Sequence, residues 1–180
     1  MRDRYVVDTN VLIAASACDP HHPADIEATP ADLTLRLTIW EWLVAFQQSD
    51  SRLILDTELK IYDEYRNKLD YNDYGIQVVM DKWSTSAVDN VVVEYDSDGH
   101  GILPDTLIPI IHDLADRKMV AATLASHIEF GEGCIAFAGD TDWHDWEVGL
   151  VAHSILLEPI IESWSRAKHA EKQEKNKHSK

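Results

Sequence analysis

Short apolar runs without alternation recur along the chain: Tyr5-Val6-Val7, Leu53-Ile54-Leu55, Val91-Val92-Val93 and Ile135-Ala136-Phe137-Ala138. Runs of this kind suit strands buried on both faces, as in a parallel sheet. The spacing predicts strands at 4–7, 52–55, 90–95 and 134–138, and a short last strand at 154–157. Between them apolar residues fall three and four apart. This happens over 33–48 (Leu35, Ile39, Trp42, Leu43, Phe46), from 56 to about 68 (Leu59, Tyr62, Tyr65) and from 71 to about 87 (Ile76, Val79, Met80, Trp83). Those spacings predict amphipathic helices. Val11 to Ala15 reads as a helix directly after the first strand. A further helix is expected from Ile110 to about His127, and another opened by Pro159 with Ile160, Ile161 and Trp164. Strands alternating with helices predict an α/β fold with a parallel sheet covered on both faces.

Prolines 20, 23 and 30 predict loop or short turns around Cys18 to Asp32. His21 and His22 lie there; adjacent side chains seldom converge on one ion, so they read as an exposed pair. Asp96-Ser97-Asp98-Gly99-His100-Gly101 echoes the start of an EF-hand loop, but His100 and Leu107 stand where ligands belong. It reads as a polar Gly-rich loop.

At 180 residues and 45% hydrophobic content, the chain can bury one substantial core. Residues 1–164 are expected to form one domain and 165–180 a basic helix end or disordered tail. Cys18 and Cys134 lack metal-type spacing and suit a reducing compartment. The first apolar stretch is broken by Asp8 and no run reaches membrane-spanning length, so a cytoplasmic location without membrane association is expected. The net charge is −16 and uneven: residues 165–180 carry six basic and two acidic side chains, +4, and residues 1–164 carry −20. Such a body does not bind a phosphate backbone non-specifically. Acting on nucleic acid, it needs bridging cations, a basic partner or its tail.

The first and fourth strands each end in acid, at Asp8 and Asp140. A carboxylate after a buried strand is costly unless paired, hydrogen-bonded or on a cation. Strand carboxyl ends are where open α/β sheets hold ligands, and the first and fourth strands are expected to meet at a switch point. Asp116, beside Asp113 at a helix start, and Glu64, at the edge of an apolar helix face, are expected to join Asp8 and Asp140. Capping and helix-dipole effects account for each acid singly. Four together repel one another, and a hard divalent cation resolves the repulsion. Without His or Cys in the set, Mg2+ or Mn2+ suits better than Zn2+.

Val6-Val7-Asp8-Thr9-Asn10-Val11-Leu12-Ile13, Tyr62-Asp63-Glu64-Tyr65, Asp116 with Val120-Ala121-Ala122, and Ala138-Gly139-Asp140-Thr141-Asp142-Trp143, in that order, resemble a PIN-domain nuclease. The resemblance spans roughly residues 4–160. It implies a three-layer α/β/α sandwich with a roughly five-stranded parallel sheet. It implies that Asp8, Glu64, Asp116 and Asp140 are the catalytic, metal-binding acids, that Asp142 is an extra or alternative ligand, and that Asn10 orients Asp8. The activity implied is hydrolysis of RNA, usually single-stranded, with Mg2+ or Mn2+ and no covalent enzyme intermediate. Many small members are toxins of toxin–antitoxin pairs, so an antitoxin or other protein partner and a homodimer are implied too. The chain departs from the compact toxin pattern by its length, its insert near 19–32, its loop near 96–105 and its basic tail.

Two other readings compete. One is a PIN-like scaffold without turnover, motivated by the acidic surface and by Trp143 and Trp146 read as exposed. The other is a phosphatase with Asp8 as nucleophile, but Asn10 stands where such enzymes want a second Asp.

Overall fold

The structure is a computed structural model that describes residues 1–18 and 27–178. The pair His21-His22 therefore lies outside the described residues. The elements follow in the order β1 (Arg4–Val7), α1 (Thr9–Ser16), α2 (Leu33–Gln48), β2 (Arg52–Asp56), α3 (Lys60–Lys68) and α4 (Tyr74–Ser84). Then come β3 (Val88–Val91), α5 (Arg117–Phe130), β4 (Cys134–Phe137), α6 (Asp142–Ala152), β5 (Leu156–Pro159) and α7 (Glu162–His178).

All strand pairs are parallel, in the order β3-β2-β1-β4-β5. The chain fills one side of β1 first, then returns through α5 to lay β4 and β5 on the other. The switch point thus falls between β1 and β4, where Val6 pairs with Ile135 and Val7 with Ala136. Every residue of β4 is buried, as are Tyr5, Val6 and Val7, which explains why neither run alternates. Neighbouring β1 side chains point to opposite faces. Tyr5 packs edge-on against Trp42 and Phe46 of α2, whereas Arg4 lies over the Phe130 ring of α5. Helices therefore cover both faces, as a three-layer α/β/α sandwich requires.

Three boundaries differ from those the sequence predicts. The last strand runs Leu156–Pro159 instead of 154–157; Pro159 ends β5 opposite Phe137, at a sheet edge that tolerates a residue without an N–H, instead of opening a helix, and α7 begins at Glu162. The third strand ends at Val91, and Val92 is exposed, because only β2 pairs with this edge. The helix expected from Ile110 begins at Arg117; the preceding stretch runs as turns anchored by buried Leu107 and Ile111, where Asp113 Oδ1 accepts from the Ala115 backbone N–H and the Arg117 guanidinium donates to the Ile111 and Ile108 carbonyls. Of the two forms expected for the basic tail, helix end or disorder, it takes the helical one as far as His178. Composition gives it little to bury, and partners on α6 supply what holds it: Arg166 pairs with Glu147, His169 with Asp145 and Lys172 with Asp142. Among the described residues no helix is long and apolar enough to cross a membrane.

Candidate functional site

Three strands end at or near an Asp, and their surroundings separate them. Asp56, at the end of β2, is fully buried, and its two oxygens accept from the backbone N–H groups of Lys60 (2.9 Å) and Ile61 (2.8 Å). It caps α3, and that role accounts for it.

Asp8 caps α1 with one oxygen, Oδ1, which accepts from the Asn10 backbone N–H at 2.7 Å. Asn10 thus orients Asp8 through its main chain. Oδ2 accepts from Trp143 Nε1 at 2.6 Å. The carboxyl group is 2% exposed and pushed up to about 7, by burial first and then by the charge of Asp140; the Trp143 and Asn10 donors oppose the rise and Glu64 adds to it.

Asp140 follows β4 and accepts from the Asp142 backbone N–H at 2.9 Å, at the start of α6. Burial raises its carboxyl; the Asp142 N–H opposes the rise, the charge of the Asp142 carboxylate adds to it, and Lys172 opposes it. Asp116 precedes α5 without a side-chain capping bond. Its carboxyl is pushed up to about 8 by burial, then by Asp8, Asp140, Asp113 and Glu64. Glu64 is carried by α3, which Tyr65 pins under β1 through a 2.5 Å hydrogen bond from its hydroxyl to Val7 O. The Thr9 hydroxyl donates to Glu64 Oε1, and Lys118 Nζ sits 2.5 Å from Oε2.

The fold thus turns Asp8, Asp116, Asp140 and Glu64 toward one edge, where their charges repel. Two of the five candidate acids have a lysine partner, Glu64 with Lys118 and Asp142 with Lys172. Among the described residues, Asp8, Asp116 and Asp140 have no ion pair.

The group is looser than direct chelation by three side chains. No three of the five bring one ligand atom each within 4.8 Å of one another. Among the described residues only Asp96, Asp98 and His100 do. Those three form a turn closed on itself: Asp98 and His100 donate backbone N–H bonds to Asp96 Oδ1, and His100 Nδ1 lies 3.3 Å from Oδ2.

The donor chemistry at the strand edge fits a hard cation that keeps part of its water shell. Mg2+ binds through one or two carboxylates and retains several waters. Asp8 oxygens with one hydrogen bond each keep a second lone pair, and Asp116 has no competing donor on its carboxyl among the described residues.

Pattern reading missed Trp143 as the donor to Asp8, because its neighbours Asp142, His144 and Asp145 suggested an exposed turn. The spacing of Trp143, Trp146 and Leu150 was the available signal, an apolar helical stripe. Both tryptophans are buried, Trp143 at 0% and Trp146 at 1% exposure, so they offer no surface for a partner. Thr9 and Lys118 gave no such signal, since they meet Glu64 only across α1, α3 and α5. No family model, curated protein or solved structure matches the chain.

Proposed function

We propose that the protein is a metal-dependent ribonuclease of the PIN type, hydrolysing phosphodiester bonds of single-stranded RNA with Mg2+ or Mn2+. One observation carries this reading: acids far apart in sequence gather near the β1–β4 switch point, burial raises the carboxyls of Asp8, Asp116 and Asp140, and the charges of neighbouring acids add to each rise. Natural folds do not assemble repelling carboxylates at a ligand-binding edge without cost, and a divalent cation removes it.

Asp8, Asp116 and Asp140 would hold the cation, with Glu64 joining when Lys118 yields. Bound there, a cation would supply charge neutralisation and lower the pKa of a water for hydrolysis of the phosphodiester. Trp143 Nε1 and the Asn10 N–H fix the Asp8 carboxylate in one rotamer, so its oxygens need little reorganisation on binding. Thr9 does the same for Glu64. With a pKa near 8, Asp116 retains its proton at neutral pH until a cation or another positive charge displaces it.

The test is cleavage of a labelled single-stranded RNA by the purified chain in Mn2+. Asp8→Asn and excess chelator should each abolish cleavage while circular dichroism stays unchanged. Full activity in chelator, or in the Asn variant, refutes the proposal.

A further inference from the structure

Helix α7 borders the acidic edge. A cleft of about 410 Å3 lies between it and the turn after β4. Gly139 and Thr141, on either side of Asp140, form one wall, and Trp164, Lys168, Lys172 and Lys175 belong to the other. The α7 residues are spaced by four, four and three, so they share one helix face. They span about 17 Å at 1.5 Å per residue. Trp164 is half-buried at the inner end, and the lysines are exposed.

The cleft is not purely cationic. Glu171 also lines it and pairs with Lys168, and Lys172 pairs with Asp142. Exposed pairs of this type contribute little individually and exchange for a phosphate oxygen.

The global charge makes this position significant. The body up to residue 164 carries −20 and repels a polyanion, while the segment from 165 carries +4. The fold sets that segment beside Asp140 through its contacts with α6. A row of cations ending in an aromatic ring is how sequence-tolerant single-strand sites are built: cations follow the phosphates and the ring stacks a base. A duplex keeps its bases stacked inside and offers the ring nothing.

We propose that this face of α7 is the docking rail for single-stranded RNA: Lys168, Lys172 and Lys175 take successive phosphates, Trp164 stacks a base, and the strand is presented to the edge at Asp140. The proposal rests on the ribonuclease reading for its ligand and deepens it by naming where the strand lies.

The test is fluorescence anisotropy of a short labelled oligouridylate on the full chain, in chelator so that no cleavage intervenes, across a salt series. Three phosphate contacts on a single strand give a log–log salt slope of about −2. The variant K168A/K172A/K175A should lose most of that slope and bind at least ~10-fold more weakly at low salt. Trp164→Ala should weaken binding by ~5-fold or more with the slope unchanged. Circular dichroism and Mn2+ calorimetry on each variant check that fold and acidic site persist.

Wild-type-like affinity and slope in the triple variant overturn the rail, as does a wild type that does not bind the oligonucleotide. Equal competition by poly-glutamate overturns it too, since the face would then be a general polyanion surface. The two proposals fail separately. Mn2+ binding and RNA cleavage together with lysine-independent RNA binding refute the rail alone. Lysine-dependent RNA binding without Mn2+ binding or cleavage refutes the nuclease reading alone.

Discussion

Replacing Asp116 by Asn is expected to stabilise the metal-free protein and to abolish its response to Mn2+. The carboxyl sits at about 8 instead of 3.8, with burial as the largest cause and the charges of Asp8, Asp140, Asp113 and Glu64 behind it. The folded chain therefore holds this proton more tightly than the unfolded chain does. Between about pH 4 and pH 8 the native state binds more protons, so stability falls as pH rises through that window. A rise of about 4 in pKa corresponds to ~6 kcal/mol at full strength. Partial exposure and solvent screening reduce this to roughly 2–4 kcal/mol. Asn keeps the shape, removes the charge and gives up no capping bond. In chelator at pH 7.5 its thermal midpoint should exceed the wild type's by about 5–12 °C for a chain of this size. The gain should shrink as pH is lowered toward 4. Mn2+ at a hundred times its Kd should stabilise the wild type by about 2.7 kcal/mol and leave the variant nearly unmoved. Calorimetric melts at several pH values, with and without Mn2+, read both effects. An Asn variant less stable than wild type at pH 7.5, or a gain that ignores pH, refutes the reasoning.

Other consequences can be checked separately. Trp143→Phe removes the donor to Asp8 Oδ2 and part of a fully buried ring, so denaturant unfolding should show a loss of about 2–4 kcal/mol; a loss under ~0.5 kcal/mol contradicts the packing described. Lys118→Met leaves Glu64 without its cation and should cost about 1–3 kcal/mol in chelator. Saturating Mn2+ should recover most of that loss in the same melts, and an unrecovered loss means that Lys118 is purely structural. Gly139→Ala sets a Cβ 2.3 Å from Thr29 O, so either that loop or the Asp140 turn must shift. A drop of about 2 kcal/mol or more is expected, and a neutral result on thermal unfolding would show that the loop yields freely.

The architecture was legible because its signals are local and repeated. Unbroken apolar runs such as Val6-Val7 and Ile135-Ala136-Phe137 mark strands with two covered faces, and β1 and β4 are buried in that way. Boundaries were less legible where tertiary partners decide them. Carbonyls of the 108–111 turns accept from the Arg117 side chain where the first turns of α5 were expected, while partners on α6 hold the apolar-poor α7 together. At the site, Asp8 and Asp140 were visible as acids that end buried runs, and the topology sets them on neighbouring strands. What surrounds them was not visible. Trp143 looked exposed beside its acidic neighbours, and the Thr9 and Lys118 contacts to Glu64 cross between separate helices. Sequence spacing carries no information about such side-chain meetings.

Anomalous diffraction from Mn2+-soaked crystals tests the central claim most directly. The account predicts a peak at the switch point with Asp8, Asp116 and Asp140 around it and Lys118 drawn away from Glu64. An empty strand edge, with the peak instead at Asp96, Asp98 and His100 or nowhere, contradicts it.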